Sequence, residues 1–125
     1  MIRDVTEALF NDMIKRSEKI IVVEFWSPSC SVCRDVAPAY EQASNDLSNE
    51  ATFVRVNTDA NGQMAAKYGV TGTPTFTLFC REGKITDIVG LTSATMLRNT
   101  IKDAIKYKVA CKGKKRPGFE IDGYG

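Results

Sequence analysis

The spacing of hydrophobic positions along the chain predicts alternating helices and strands. Hydrophobic residues recur three or four positions apart over residues 5–14, 33–47 and 96–105, which is the spacing of amphipathic helices. A shorter helix is expected over residues 63–68, closed by Gly69. Runs rich in β-branched and aromatic residues predict strands, and the run over residues 20–26, which lacks polar alternation, should be buried on both faces. These runs are residues 20–26, 52–56, 75–79 and 85–89.

The order of these segments predicts an α/β fold, a mixed sheet with helices on both faces. Strands joined through helices pair in parallel with right-handed crossovers. The connector Arg81-Glu82-Gly83-Lys84 instead predicts a hairpin, so the last two strands should be antiparallel. Pro38 should kink the second helix because it has no backbone N–H to donate. We expect one domain over residues 1–110, followed by a basic tail, residues 111–125, that contains Gly and Pro.

Composition and charge narrow the function classes. The chain has 125 residues, of which 43% are hydrophobic and 26% charged, as in ordinary globular proteins. No hydrophobic run approaches the roughly 18 residues of a membrane span, and residues 1–14 lack the layout of a secretory signal, so we expect a cytoplasmic protein without membrane contact. The first 105 residues carry a net charge of −2 and the last 20 of +4. The net negative charge of the first 105 residues argues against nucleic-acid binding. We interpret the basic tail as a solvated segment, and binding of an anionic partner is the alternative.

The strongest chemical signal is Cys30-Ser31-Val32-Cys33, a C-x-x-C motif at the point where a buried strand gives way to a helix. In a cytosolic βαβ context this motif indicates a redox-active dithiol. Unpaired backbone N–H groups and the helix dipole favour a thiolate at Cys30. Lowering a thiol pKa from about 8.5 to about 7 requires roughly 2 kcal/mol, whereas the dipole typically contributes about 0.3–1 kcal/mol. Hydrogen bonds to the sulfur must supply the rest, because the chain has no histidine to act as a cation.

A metal site is the alternative use of the cysteines. Cys80 precedes the predicted hairpin turn and Cys111 follows the last helix, so neither repeats the paired spacing of zinc or iron–sulfur sites. We therefore expect no metal and no organic cofactor. Cys80 and Cys111 are interpreted as ordinary thiols, with a bond between them left open.

Several motifs in the same order resemble the thioredoxin family over residues 4–106. They are a strand that ends in Phe25-Trp26, the C-x-x-C motif, Pro38 in the following helix, the segment 70–75, and Val89-Gly90. The resemblance implies the thioredoxin fold and a protein-disulfide reductase active in electron transport and cell redox homeostasis. Cys30 would be the nucleophile and Cys33 the resolving thiol. The partners would be disulfide-containing proteins and a separate reductase, because no dinucleotide-binding fingerprint is present. We expect a monomer.

Glu24 is an acid inside a hydrophobic strand, where burial is costly unless the group has a partner or a role. Thioredoxins carry Asp at this position, thought to accept a proton from the second cysteine through water. Burial raises a carboxyl pKa toward the range that this role needs. A purely structural ion pair between Glu24 and Arg55 is the alternative.

The resemblance also implies a substrate-binding surface formed by Trp26, Thr73, Pro74 and Gly90. The base rate of cis X–Pro bonds, only about 5–6%, favours a trans Thr73–Pro74 bond, whereas the resemblance implies a cis bond. The Thr73 backbone would then pair with an extended substrate segment. Gly90 either permits close approach of the substrate backbone or is a turn glycine.

Three departures from the family pattern concern the active site. Glu24 replaces Asp, Ser29 replaces the Trp before the first cysteine, and Ser31-Val32 replaces Gly-Pro. These departures leave the reduction potential and the identity of the electron donor open. A disulfide oxidase or isomerase, and a redox-inactive binding module with the same fold, are the alternative functions. A glutaredoxin is disfavoured because its usual C-P-Y-C centre is missing.

Overall fold

The computed structural model describes residues 2–81 and 83–106. The predicted tail, residues 111–125, lies outside these ranges. In chain order the elements are β1 (Arg3–Asp4), α1 (Glu7–Arg16), β2 (Ile20–Trp26), α2 (Ser31–Asp46), β3 (Ala51–Asn57), α3 (Gly62–Lys67), β4 (Thr75–Cys80), β5 (Gly83–Val89) and α4 (Ala94–Lys106). Among the described residues, no helix is both long and hydrophobic enough to span a bilayer.

The strands form one sheet in the order β1-β3-β2-β4-β5. β3 pairs in parallel with both β1 and β2, whereas β4 is antiparallel to both β2 and β5. The predicted mixed sheet and closing hairpin are therefore confirmed. The expectation that strands joined through helices run parallel is wrong for β4, which follows α3 and is antiparallel to β2. β2 lies at the centre of the sheet, where its continuous hydrophobic sequence is buried on both faces.

The short edge strand β1 was not expected from the sequence. Its two residues, Arg3 and Asp4, are polar and exposed, so they give no hydrophobic signal. The next residue, Val5, anchors the strand because its side chain is buried and its N–H donates to the Arg55 carbonyl at 2.8 Å. The Thr6 side chain then caps α1 by accepting a hydrogen bond from the N–H of Leu9.

Alternating side chains of β2 contribute to two separate hydrophobic clusters. Ile20 and Val22 pack with α2 and α4 on one face of the sheet. Ile21 and Val23 pack with α1 and α3 on the other face. Since Glu24 has the same parity as Val22, it points to the face covered by α2.

Helix α2 carries the C-x-x-C motif into the fold. It begins at Ser31 with Cys30 as its N-cap, two residues before the position that the hydrophobic spacing indicated. Pro38 lies inside the helix and does not end it, and the expected kink stays a prediction. The Tyr40 ring fixes the helix to the sheet because its hydroxyl lies 2.7 Å from the Val54 carbonyl oxygen and 3.0 Å from that of Val22.

Candidate active site

The fold brings Cys30 and Cys33 together at the start of α2. The two sulfurs are bonded, and the Cα atoms are 5.3 Å apart. This bond confirms the prediction that the two cysteines are close neighbours at the tip of a helix. Cys33 is buried, whereas Cys30 is partly exposed. An incoming disulfide therefore meets the Cys30 sulfur first.

The backbone at the start of α2 supplies a hydrogen bond to the Cys30 sulfur. Cys30 has an extended backbone conformation, which turns its side chain toward the first turn of the helix. There its Sγ accepts a hydrogen bond from the N–H of Cys33 at 3.1 Å. In the reduced protein the same N–H group would favour a thiolate at Cys30 over a thiol, together with the helix dipole.

The segment around Pro74 lies against Cys30. The Thr73–Pro74 peptide bond is cis, as the family resemblance implied and against the statistical expectation for such bonds. The Thr73 carbonyl oxygen is 3.4 Å from the Cys30 sulfur. Gly90 joins the same group because its N–H donates to the Pro74 carbonyl at 2.8 Å. Three of the four predicted substrate-binding residues therefore lie next to one another beside the reactive cysteine.

The backbone of Gly90 supports its interpretation as a turn glycine. Its φ of +88° is a conformation that residues with a side chain rarely adopt, so the turn requires glycine. Apart from its two chain neighbours, no described residue places a heavy atom within 4 Å of the position that a Cβ would occupy.

Glu24 is only 2% exposed and has incomplete hydrogen bonding. Its Oε1 lies 3.4 Å from Nε of Arg55, whereas its buried Oε2 has no hydrogen-bond partner among the residues that the structure describes. Burial raises the pKa of Glu24 to about 7, although the charge and hydrogen bond of Arg55 act in the opposite direction. The Glu24–Arg55 ion pair is therefore present, but it does not keep the carboxyl in its usual pKa range.

Trp26 contacts Arg55, the ion-pair partner of Glu24. The Arg55 guanidinium lies 4.1 Å from the centre of the Trp26 ring, and the indole N–H donates to Oδ1 of Asp4 at 2.7 Å. Sequence reasoning missed Asp4. No local pattern could have revealed it, because its contact with Trp26 depends on the order of the strands in the sheet.

Cys80 is the buried last residue of β4. It is disulfide-bonded, so the expectation of an ordinary thiol is wrong at this position. Cys111, the other cysteine of that interpretation, lies outside the described residues. Within residues 2–81 and 83–106, no three Cys, Asp or Glu side chains are grouped so that they could hold a metal ion.

Comparison with known proteins identifies the family. The family model for thioredoxin matches residues 1–103. The chain belongs to the thioredoxin family. Thioredoxin 1 of Synechococcus elongatus is 35% identical over 97 residues, which are 78% of this chain and 91% of that protein. Thioredoxin 1 of a Nostoc species is 34% identical over 98 residues, with 78% and 92% covered.

Solved thioredoxin structures share the architecture. The crystal structure of Malassezia sympodialis thioredoxin has a TM-score of 0.75 at 24% identity and covers 84% of this chain and 91% of its own. Reduced Schistosoma mansoni thioredoxin has a TM-score of 0.72 at 26% identity, with 82% and 96% covered. The expected thioredoxin fold is thereby confirmed. With the bonded pair Cys30–Cys33, membership of the thioredoxin family makes the chain a thiol–disulfide oxidoreductase that works by dithiol exchange.

Proposed function

We propose that this oxidoreductase is a reductase of disulfides in other proteins, with Cys30 as the nucleophile. The observation that carries the proposal is the asymmetry of the pair. Cys30 is partly exposed and its sulfur accepts a hydrogen bond from the N–H of Cys33, whereas Cys33 is buried. A thiolate is favoured at the sulfur that a substrate can reach.

The exchange proceeds in two displacements. The Cys30 thiolate attacks one sulfur of the substrate disulfide, the substrate S–S bond breaks, and a mixed disulfide forms as the first substrate thiolate leaves. Cys33 then loses its proton and attacks the Cys30 sulfur, which releases the second substrate thiolate. The substrate gains two electrons, and its two thiolates take up two protons, one that Cys33 loses and one from solvent. The protein is left with the Cys30–Cys33 disulfide.

Glu24 is the proposed acceptor, through water, of the proton that Cys33 loses. Three observations support this role: its position on the sheet face covered by α2, a buried oxygen that no described residue hydrogen-bonds, and its pKa of about 7. A group with this pKa is close to half-ionised at neutral pH, so it can both accept and return a proton.

The proposed binding surface for substrate proteins consists of Trp26, Thr73, Pro74 and Gly90. The placement of the Thr73 carbonyl beside Cys30 and the open space above Gly90 support it. An extended substrate segment would pair with the backbone of Thr73. The hydrophobic side chains on either side of Gly90, Val89 and Leu91, are each 69% exposed and would add contact area.

The protein would act as a monomer in the cytoplasm and receive electrons from a separate reductase. Family membership supports the general need for an electron donor, because each turnover leaves the protein oxidised. A reducing compartment supplies such a donor.

Reduction of insulin disulfides with two matched variants tests the mechanism. Cys30→Ser should abolish turnover, because the attacking sulfur is lost. Cys33→Ser should accumulate a mixed disulfide between Cys30 and insulin, which mass spectrometry without reductant would detect. Turnover that survives Cys30→Ser, or trapping in the Cys30→Ser protein instead, would contradict the assignment of the two roles.

Equilibration with glutathione buffers separates a reductase from an oxidase or isomerase. A reductase should keep the Cys30–Cys33 bond until the buffer is strongly reducing, because its dithiol form is the better electron donor. Reduction of the pair in a mildly oxidising buffer would favour an oxidase instead.

A further inference from the structure

Three charged side chains form a row across neighbouring strands on one face of the sheet. In β1, Asp4 is the register partner of Arg55 in β3, and Arg55 is in turn the register partner of Glu24 in β2. Register partners in parallel strands project to the same face. The row runs from the exposed edge of the sheet to its buried centre, since side-chain exposure falls from 53% at Asp4 to 31% at Arg55 and 3% at Glu24.

Asp4 contacts two members of the group that covers Glu24. Its Oδ1 accepts the indole N–H of Trp26 at 2.7 Å, and its Oδ2 lies 3.7 Å from Nη1 of Arg55. The same guanidinium lies over the Trp26 ring and places its Nε 3.4 Å from Oε1 of Glu24. The Arg55 guanidinium is thus shared between the exposed carboxylate of Asp4 and the buried carboxylate of Glu24, and it stacks on the indole ring.

We propose that Asp4 is a positioning residue that controls the ionisation of Glu24 by sharing Arg55 with it. This inference rests on the proposed role of Glu24 as the proton acceptor for Cys33. By holding Arg55 toward the edge of the sheet and adding a second negative charge, Asp4 prevents complete neutralisation of the Glu24 carboxylate. Glu24 therefore retains its proton to a higher pH than a pair with Arg55 alone would allow.

The groups that face Glu24 determine the sign of the effect. Arg55 on β3 favours its ionised form, and Asp4 on β1 disfavours it. On α2, Cys33 is buried and bonded in the oxidised protein, and burial raises the pKa of Tyr40 well above its usual value, so its hydroxyl stays neutral. The register partner of Glu24 on β4 is the apolar Phe76. Removal of the Asp4 charge therefore lowers the pKa of Glu24, because a repulsive charge is lost and Arg55 is no longer shared.

Asp4→Asn isolates the charge, since an Asn side-chain oxygen can still accept the Trp26 indole N–H. In the oxidised full-length chain, carboxyl ¹³C NMR should show the Glu24 titration moved down by roughly half a pH unit, the scale of an interaction between partly exposed charges. Asp12→Asn is the matched control, because Asp12 is 54% exposed and pairs with Arg16 on α1. The control should leave the Glu24 titration in place. An unchanged or upward-shifted titration in Asp4→Asn would overturn the inference, whereas restoration of the wild-type value by Asp4→Glu would support it.

The pH profile of insulin reduction distinguishes this inference from the proposed function. If the NMR titration moves down and the activity profile moves with it, both ideas are supported. If the titration moves and the activity profile does not, Asp4 still controls Glu24, but Glu24 is not the proton acceptor. The indole emission of Trp26, measured in the same samples, verifies that its hydrogen bond survives the substitution.

Discussion

Two opposing effects set the pKa of Glu24: burial raises it, and the neighbouring Arg55 cation lowers it. A guanidinium 3.4 Å away would by itself lower a carboxyl pKa, yet the net result is a pKa of about 7. Burial prevails because the side chain is almost completely removed from water and, within residues 2–81 and 83–106, only one of its oxygens has a partner. This balance leaves the carboxyl able to change charge near neutral pH, as a carboxylate fully paired with Arg55 could not.

Glu24→Gln should make stability less dependent on pH. An unfolded Glu loses its proton near its ordinary pKa of 4.5, whereas folded Glu24 keeps it until about 7. Between these values the folded state binds more protons than the unfolded state, so wild-type stability falls as pH rises through this window, by about 3 kcal/mol in total. Urea unfolding at pH 5 and pH 8 measures the difference. The Gln variant should gain relative to wild type at pH 8, and an equal change in both proteins would contradict the raised pKa.

At the scale of elements, the sequence predicted the helix of the active site but not its first residue. The hydrophobic spacing begins only at Cys33 because Ser31, the first residue of α2, is polar and exposed. The true start depends on Cys30 as N-cap, which a pattern of hydrophobic positions does not record. The strands β2 and β4 were easier to predict, since both are rich in β-branched and aromatic residues and are buried throughout or nearly so.

Tyr40→Phe tests how α2 is fixed to the sheet. The Tyr40 hydroxyl is buried between the carbonyl groups of Val22 and Val54, on two neighbouring strands. Its removal should lower the free energy of unfolding by about 1–2 kcal/mol, because a buried hydrogen bond is lost. Chemical denaturation measures the change. Tyr68→Phe is the control, since Tyr68 is partly exposed and should show a smaller effect; equal effects would contradict the argument.

Gly90→Ala tests the turn between β5 and α4. A side chain at φ +88° is strained although it meets no neighbouring atom, so we expect a loss of about 1 kcal/mol or more in thermal unfolding. Gly62→Ala has equally open space but a helical backbone, and should be neutral or slightly stabilising. A neutral Gly90→Ala would show that the turn relaxes without cost.

At the scale of the whole molecule, the contacts that sequence reasoning missed are those created by strand order. The parallel pairing of β2 with β3 and the β4–β5 hairpin followed from the connections, whereas the antiparallel pairing of β4 with β2 did not. Nor did the addition of β1 beside β3, because Arg3 and Asp4 carry no strand signal. That edge strand places Asp4 next to Arg55 and Trp26. The statistics of X–Pro bonds likewise did not predict the cis Thr73–Pro74 bond, which only the family resemblance implied.

The same strand order divides the molecule into a reactive layer and a supporting layer. The active-site helix α2 and Glu24 share one face of the sheet, while α1 and α3 cover the other. Phe10 of α1 is fully buried in the supporting layer, where its ring packs against Phe79 and Tyr68 at 4.7 and 6.1 Å between centroids. A defect there should change stability without changing the electrostatics around Glu24.

Phe10→Ala tests this separation. Loss of a buried ring should cost about 3–5 kcal/mol, a large share of the roughly 5–15 kcal/mol that holds a domain together. Phe10→Leu, which fills most of the cavity, should cost less and provides a folded control if the alanine protein is too unstable. In whichever variant remains folded at 25 °C, the pH profile of insulin reduction should match wild type, because the Arg55–Glu24 pair lies on the opposite face of the sheet. A shifted profile would show that the two layers are coupled through β2, whose alternating side chains belong to both.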